Sequence, residues 1–349
     1  MRRPGTRTPV SAKISRTARL EAAVPAIDHA VILIETVCAL AGSEQLIGAT
    51  NAERRSLQHA IANHDTPALF DYLMEAFSYQ GISDAVAYTY MDEHGRVTWD
   101  ELERATICPP PCPKLDSYWR FEGCRYEKLA ASCAQPELMA SCPLPRHDLR
   151  NGRLNQTAYS LFFFIRDIAD RDLVAWIDDQ IRTAAEGNVR DRSARMVQSL
   201  IDPLRNVIGV SDKVVSMTLS YLLMAAPPAK SHWIDIGTSM IAIDTLVHNF
   251  LIRTGILQRF DARHPYGSAC YRPKGCADII RQVIRRIDAR RFNPSYPKSF
   301  PRWGQHAIWR WCAQGELDIC NGNQIDDRRS CENSSCPLFT LCDRVCLIE

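Results

Sequence analysis

Apolar residues recur along most of this chain at helical spacing, and alternating strand patterns are few. The periodicity predicts helices over roughly 21–41, 52–63, 67–92, 154–185, 191–206, 211–225, 244–258, 276–291 and 304–314. Asp65-Thr66-Pro67 is a strong helix start, with an acid to cap and a proline inside the first turn. The stretch from Asn155 to Ile181 is apolar on more than one face, with Leu161, Phe162, Phe163, Phe164 and Ile165 in succession, which marks a central core helix or a pair of them. Two segments break the pattern. Residues 106–150 carry five cysteines and seven prolines and open on Cys108-Pro-Pro-Pro-Cys112, which predicts an inserted, loop-rich module. Residues 226–240, with Pro227-Pro228 and Gly237, read as a second insertion between two helices. The fold class expected is all-α.

Charge adds little at first. Lys and Arg number 42 against 40 Asp and Glu, so bulk charge gives no argument for a nucleic-acid partner. Two local runs are basic. Residues 1–19 hold Arg2, Arg3, Arg7, Lys13, Arg16 and Arg19 without an acid, and 281–291 hold Arg281, Arg285, Arg286, Arg290 and Arg291. Each reads equally as a DNA-facing patch or a solvated surface. No uncharged apolar stretch reaches the roughly eighteen residues of a membrane span. The basic start is a poor secretory signal and fits an organelle transit peptide as well as a DNA-contacting arm. Fourteen cysteines in a long, core-rich chain point to reduced thiols that hold metal rather than to a secreted disulfide scaffold.

The candidate chemistry lies in a fixed order. Ile208-Gly209-Val210-Ser211-Asp212-Lys213 is a glycine turn that opens a helix and carries a lysine. Asp244 starts another helix that ends at Arg253-Thr254-Gly255. Cys320, Cys331, Cys336 and Cys342 follow, with Pro337-Leu338 directly after Cys336. Glycine turn, lysine, aspartate and late cysteines in this order resemble the helix-hairpin-helix DNA glycosylases of the endonuclease III type. Residues 77–84, Phe-Ser-Tyr-Gln-Gly-Ile-Ser-Asp, are similar to that family's Ser-x-Gln-x-x-Asp signature.

The resemblance implies a two-lobed helix-hairpin-helix glycosylase fold carrying a cysteine-rich insertion. A basic flexible tail would occupy 1–20. Helices of 21–64 would pack with the C-terminal lobe, a six-helix barrel with the hairpin would span 65–243 (insertions 106–150 and 226–240), and a C-terminal lobe with an iron–sulfur loop would span 244–349. It implies that Gly209, Val210 and Ser211 grip the DNA backbone through main-chain N–H groups. Ser211 stands where the family usually has a second glycine. Gln80 would fill the gap left by a flipped base. Lys213 would attack the sugar C1′ as a neutral amine, and Asp244 would stabilise the positive sugar and manage the lysine's protons. The four late cysteines would hold a [4Fe–4S] cluster; zinc suits four thiolates too.

The implied activity is excision of a damaged or modified base from double-stranded DNA by a monomer, with strand cleavage through Lys213. Two other readings stay open: a monofunctional glycosylase in which Asp244 activates water, and a non-catalytic, metal-stabilised DNA-binding protein. The expected location is the cytoplasm, at a bacterial nucleoid, or else a nucleus or organelle. Cys108, Cys112, Cys124, Cys133, Cys142 and His147 form a candidate second metal site, for zinc or a second cluster. Tyr118, Trp119 and Tyr126 interleave there with Arg120 and Arg125, a composition suited to stacking on bases. His264, Cys270 and Cys276 are further metal-ligating residue types that nothing in the sequence joins to that module.

Overall fold

The computed structural model describes residues 25–42, 51–79, 82, 84–107, 109–186, 192–322 and 324–348. Among these the chain is all-α, with no strand beyond one isolated bridge between Glu127 and Ser132. No helix is long and apolar enough to cross a membrane among the described residues.

The helices are α1 (Ala26–Ala41), α2 (Asn51–Ala62), α3 (Thr66–Ser78), α4 (Asp84–His94), α5 (Trp99–Ala105), α6 (Tyr118–Phe121), α7 (Gly152–Phe163), α8 (Leu173–Ala185), α9 (Arg192–Leu204), α10 (Asp212–Met224), α11 (Ser231–Ser239), α12 (Thr245–Arg253), α13 (Ile256–Arg259), α14 (Cys276–Ile284) and α15 (Pro301–Cys312). α3 begins where the sequence signals it: the Asp65 carboxylate accepts from the Ala68 amide at 3.1 Å, with Pro67 in the first turn. The single helix expected over 67–92 is two, α3 and α4. Of the two readings of the 154–185 stretch, one core helix or a pair, the structure has the pair. α7 runs into a π-helical turn at Phe164–Ile168, and Asp170 and Arg171 then adopt φ of 48° and 61° before Asp172 caps α8.

The buried side chains form two clusters. The first joins α2, α3, α5, α7, α8, α9, α10 and α11, with Phe70, Phe162, Phe163 and Trp233 at its centre. The second joins α1 with α12, α13, α14 and α15 around Leu33, Phe250, Trp303 and Trp311. α2 therefore differs from the expectation for 21–64: its Leu57, Ala60 and Ile61 enter the first cluster, and only α1 joins the C-terminal helices.

Residues 226–240 are not a looped-out insertion. Pro227-Pro228 leads into a helical turn and α11, which packs on both α10 and α15. Trp233 is fully buried, and its indole N–H donates to Asp178 Oδ1 at 2.6 Å. Proline ahead of a helix is a start signal as well as a loop signal, because the first-turn amides need no intrahelical acceptor.

The break between α12 and α13 is enforced by Gly255. Its φ is +77°, and a Cβ there would land on the Asp343 carboxylate, which is bound by Arg259 at 2.7 and 2.8 Å. Gly255→Ala should lower stability by at least about 1–3 kcal/mol from the backbone alone. Urea unfolding of the two proteins measures it, and equal midpoints would contradict it.

Candidate functional site: a lysine–aspartate pair among cysteine-lined cavities

The turn between α9 and α10 is built on α7. Ile208 donates its N–H to Ser160 Oγ at 3.1 Å, and the Thr157 hydroxyl donates to Ile208 O at 2.7 Å. Gly209 has φ +84°, and a Cβ there would stand 2.9 Å from Thr157 Oγ1. Both backbone and space therefore require glycine at this position. The turn from Val207 to Ser211 lines an open concavity together with Arg153, Arg205 and Asn206. Arg205 is held in a two-point ion pair by Asp212 at 2.5 and 3.1 Å.

Lys213 is the second residue of α10, half-buried. Asp244 caps α12: its Oδ1 accepts from the Val247 amide at 2.9 Å. Burial pushes the Asp244 carboxyl above the usual carboxylate range; the Val247 amide and the positive charge of Lys213 pull the other way and do not overcome it. The amine and the carboxylate are thus within electrostatic reach of each other. Tyr266 joins them, its phenol raised by burial and then by the charge of Asp244. The residue before Asp244 is clamped: the Tyr271 hydroxyl accepts from Ile243 N–H at 2.8 Å and donates to Ile243 O at 3.3 Å.

Gln80 and the basic run 1–19 lie outside the described residues. The second basic run is partly spent inside the fold. Arg286 binds Asp28 at 2.8 Å, Arg291 pairs with Glu35, and Arg290 binds Asp288 at 2.5 Å. Two of these pairs hold the segment after α14 to α1, a structural use of the charge.

Every cysteine among the described residues is a free thiol. Cys320, Cys331, Cys336 and Cys342 line one cavity, with Phe250, Trp311, Leu338 and Phe339 as its apolar wall. Arg253 and Arg344 also face it. Arg253 is 2% exposed; it pairs with Asp327 at 2.5 Å, while its Nη1 is buried without a hydrogen-bond partner among the described residues. Arg344 Nε is in the same state. The Arg344 N–H donates to Cys342 Sγ at 3.4 Å. Burial, and then the other thiols around the cavity, holds Cys336 and Cys342 up, Cys342 to about 12. Cys312 is fully buried and hydrogen-bonded with Cys320.

The cysteine-rich segment repeats this arrangement. Cys112, Cys124, Cys133 and Cys142 line a second cavity, with Lys114 and Arg125 on its wall. The Gln135 N–H donates to Cys133 Sγ at 3.4 Å, as Arg344 does to Cys342. Burial raises Cys124 and Cys142, the latter to about 11, and the neighbouring thiols raise them further. His147 is absent from this lining; its Nε2 lies 3.0 Å from the Tyr159 hydroxyl. Cys108 lies outside the described residues. Of the aromatic residues in the segment, Trp119 is exposed, whereas Tyr126 is buried and lines the cavity.

A third group was not legible as a set. His248 of α12, His264, Cys270 and Cys276 of α14 bring their ligand atoms within 4.8 Å of one another and can hold a metal ion. The even spacing of His264, Cys270 and Cys276 was the available signal. His248 is contributed by a different helix, so the fourth member is fixed only by folding.

The chain matches no protein-family model, no curated protein and no solved structure.

Proposed function

We propose that the chain is a DNA glycosylase of the helix-hairpin-helix type that removes a damaged or modified base and then cleaves the strand. The observation that carries this reading is that Lys213, in the first turn of the helix that follows the glycine turn, lies within electrostatic reach of the buried Asp244. On this reading the turn at Gly209, Val210 and Ser211 seats a phosphate in the concavity with Arg153 nearby. Asp244, made more basic by burial, takes the proton of the Lys213 ammonium. The neutral Nζ attacks C1′, the N-glycosidic bond breaks, and the base leaves with the bonding pair and a proton. Ring opening gives a Schiff base between Lys213 and the sugar. Loss of the C2′ proton then expels the 3′ phosphate, and water releases the lysine.

Both four-cysteine cavities fit a [4Fe–4S] cluster. A cluster with four thiolates is anionic. The unpartnered guanidinium nitrogens of Arg253 and Arg344 suit such an occupant at the C-terminal site, as does a backbone N–H on a cysteine sulfur at both sites. Cys320, Cys331, Cys336 and Cys342 would hold one cluster, and Cys112, Cys124, Cys133 and Cys142 the other. Each would tie loop-rich chain into a rigid surface, with no part in bond cleavage. Anaerobically purified protein should contain about eight iron atoms per chain, two cubanes of four. Cys336→Ser and Cys133→Ser should each remove about half of the iron and of the broad visible absorbance. Zinc in place of iron at either site would overturn the assignment there.

The test of the activity is borohydride reduction on a duplex with a single abasic site. A covalent protein–DNA adduct is expected. Base release without an adduct would favour an Asp244-activated water, and tight binding with neither would leave a DNA-binding protein.

A further inference from the structure

We propose that His248, His264, Cys270 and Cys276 form a structural Zn²⁺ site that fixes the loop clamping Ile243 and, through it, Asp244. The geometry is that of a tetrahedral edge set. His248 Nδ1 lies 3.3 Å from Cys276 Sγ and 3.5 Å from Cys270 Sγ, and His264 Nε2 lies 3.4 Å from Cys276 Sγ. Zinc bonded at about 2.0–2.3 Å to two nitrogens and two sulfurs requires separations of about 3.3–3.8 Å between ligand atoms. His264 carries a support typical of a metal-bound imidazole: its Nδ1–H donates to Ala262 O at 2.7 Å, which leaves the Nε2 lone pair aimed at the sulfurs. His248, Cys270 and Cys276 are buried and His264 is half-buried, so most of the set is withdrawn from water, as in structural zinc sites. Two histidines and two thiols suit zinc and leave no ligand set for a cubane, which the four-cysteine cavities provide.

The consequence for the pair follows from the chain path. The loop from His264 to Cys276 carries Tyr266 and Tyr271, and both hydroxyls reach the main chain of Ile243. His248 donates its own N–H to Asp244 O at 3.0 Å. The metal would therefore hold the segment before Asp244 from one side and the first turn of α12 from the other. Tyr271 is a positioning residue in this arrangement. This positioning role rests on the glycosylase reading; the metal site does not.

Metal analysis of the full chain, purified anaerobically after growth with zinc, is expected to give one zinc per chain beside the iron. Zinc-edge X-ray absorption on the same protein should show two sulfurs at about 2.3 Å and two nitrogens at about 2.0 Å. His264→Ala and Cys270→Ser should lose the zinc and keep the iron absorbance. Zinc-free wild-type protein, a four-sulfur shell, or folded variants that retain zinc would each overturn the site. The absorption spectrum decides on wild-type protein alone if the variants fail to fold. Tyr271→Phe should retain zinc and lower kcat about 10-fold with little change in KM. An unchanged kcat would remove the positioning role while leaving the zinc count standing. Zinc in a protein that neither traps nor releases a base would separate the metal site from the activity.

Discussion

Lys213→Gln should yield no borohydride-trapped adduct on abasic DNA, and its strand cleavage should fall on the order of 10³-fold. Duplex binding should change only a few-fold, because the phosphate-facing turn at Gly209 and the cation of Arg153 are untouched. The loss is large because the amide of glutamine cannot supply a nucleophilic lone pair to C1′. In the proposed mechanism the two groups act on one proton. Removing both should therefore cost little more than the worse single change. Single-turnover gel assays of Lys213→Gln, Asp244→Asn and the double variant measure this. Strictly multiplicative losses would mean that the lysine and the carboxylate work independently, and a trapped adduct in Lys213→Gln would remove the lysine from the mechanism.

Asp244→Asn carries the second large effect, and its two halves have opposite signs. Excision should fall by about 10²–10³-fold, the usual loss when a charge aimed at the transition state is removed. Stability at neutral pH should rise. Asparagine keeps the cap on the Val247 amide, and the buried carboxylate is gone. The free carboxyl of an unfolded chain titrates near about 3.9. Burial raises Asp244 above that value in the folded state, so ionised Asp244 disfavours folding. The penalty is complete at pH values above the raised folded pKa. It fades as the pH falls through that value and is gone below the unfolded one, so the Tm advantage of the variant should shrink in acid. The groups that feel Asp244 are Lys213, whose charge opposes the shift, and Tyr266 and Cys312, both raised in part by the Asp244 charge and neutral through this range. The acidic limb of wild-type kcat should correspondingly lie above the ordinary aspartate range. Thermal unfolding and pH–rate profiles check both halves; a variant less stable than wild type at neutral pH would contradict the burial argument.

The helical class was readable because the apolar residues repeat at helical spacing and Asp65 and Asp244 stand at helix starts. The interruptions were not readable. Asp170 and Arg171 break the α7–α8 run with left-handed backbone at residues that carry no glycine signal. α11 was hidden because proline pairs mark loops and helix starts alike. Gly209, Lys213 and Asp244 were visible as an order in the sequence. The electrostatic reach between Lys213 and Asp244 is set by folding, with α11 packed back against α10 between them in the chain. The C-terminal cysteines read correctly as companions around one cavity. In the other segment spacing did not separate His147 from the thiols. Burial decided it: His147 turns to Tyr159, whose hydroxyl lies inside the core.

α12 carries Asp244 at its first turn, His248 a turn later and Arg253 at its last residue. An α-helix turns about 100° per residue. Insertion or deletion of a single residue between 245 and 252 would therefore swing the carboxylate, the imidazole and the guanidinium to mismatched bearings around one axis. The length of this rod is fixed by three tenants at once, and sequence drift within it is confined to replacement, with indels closed to it.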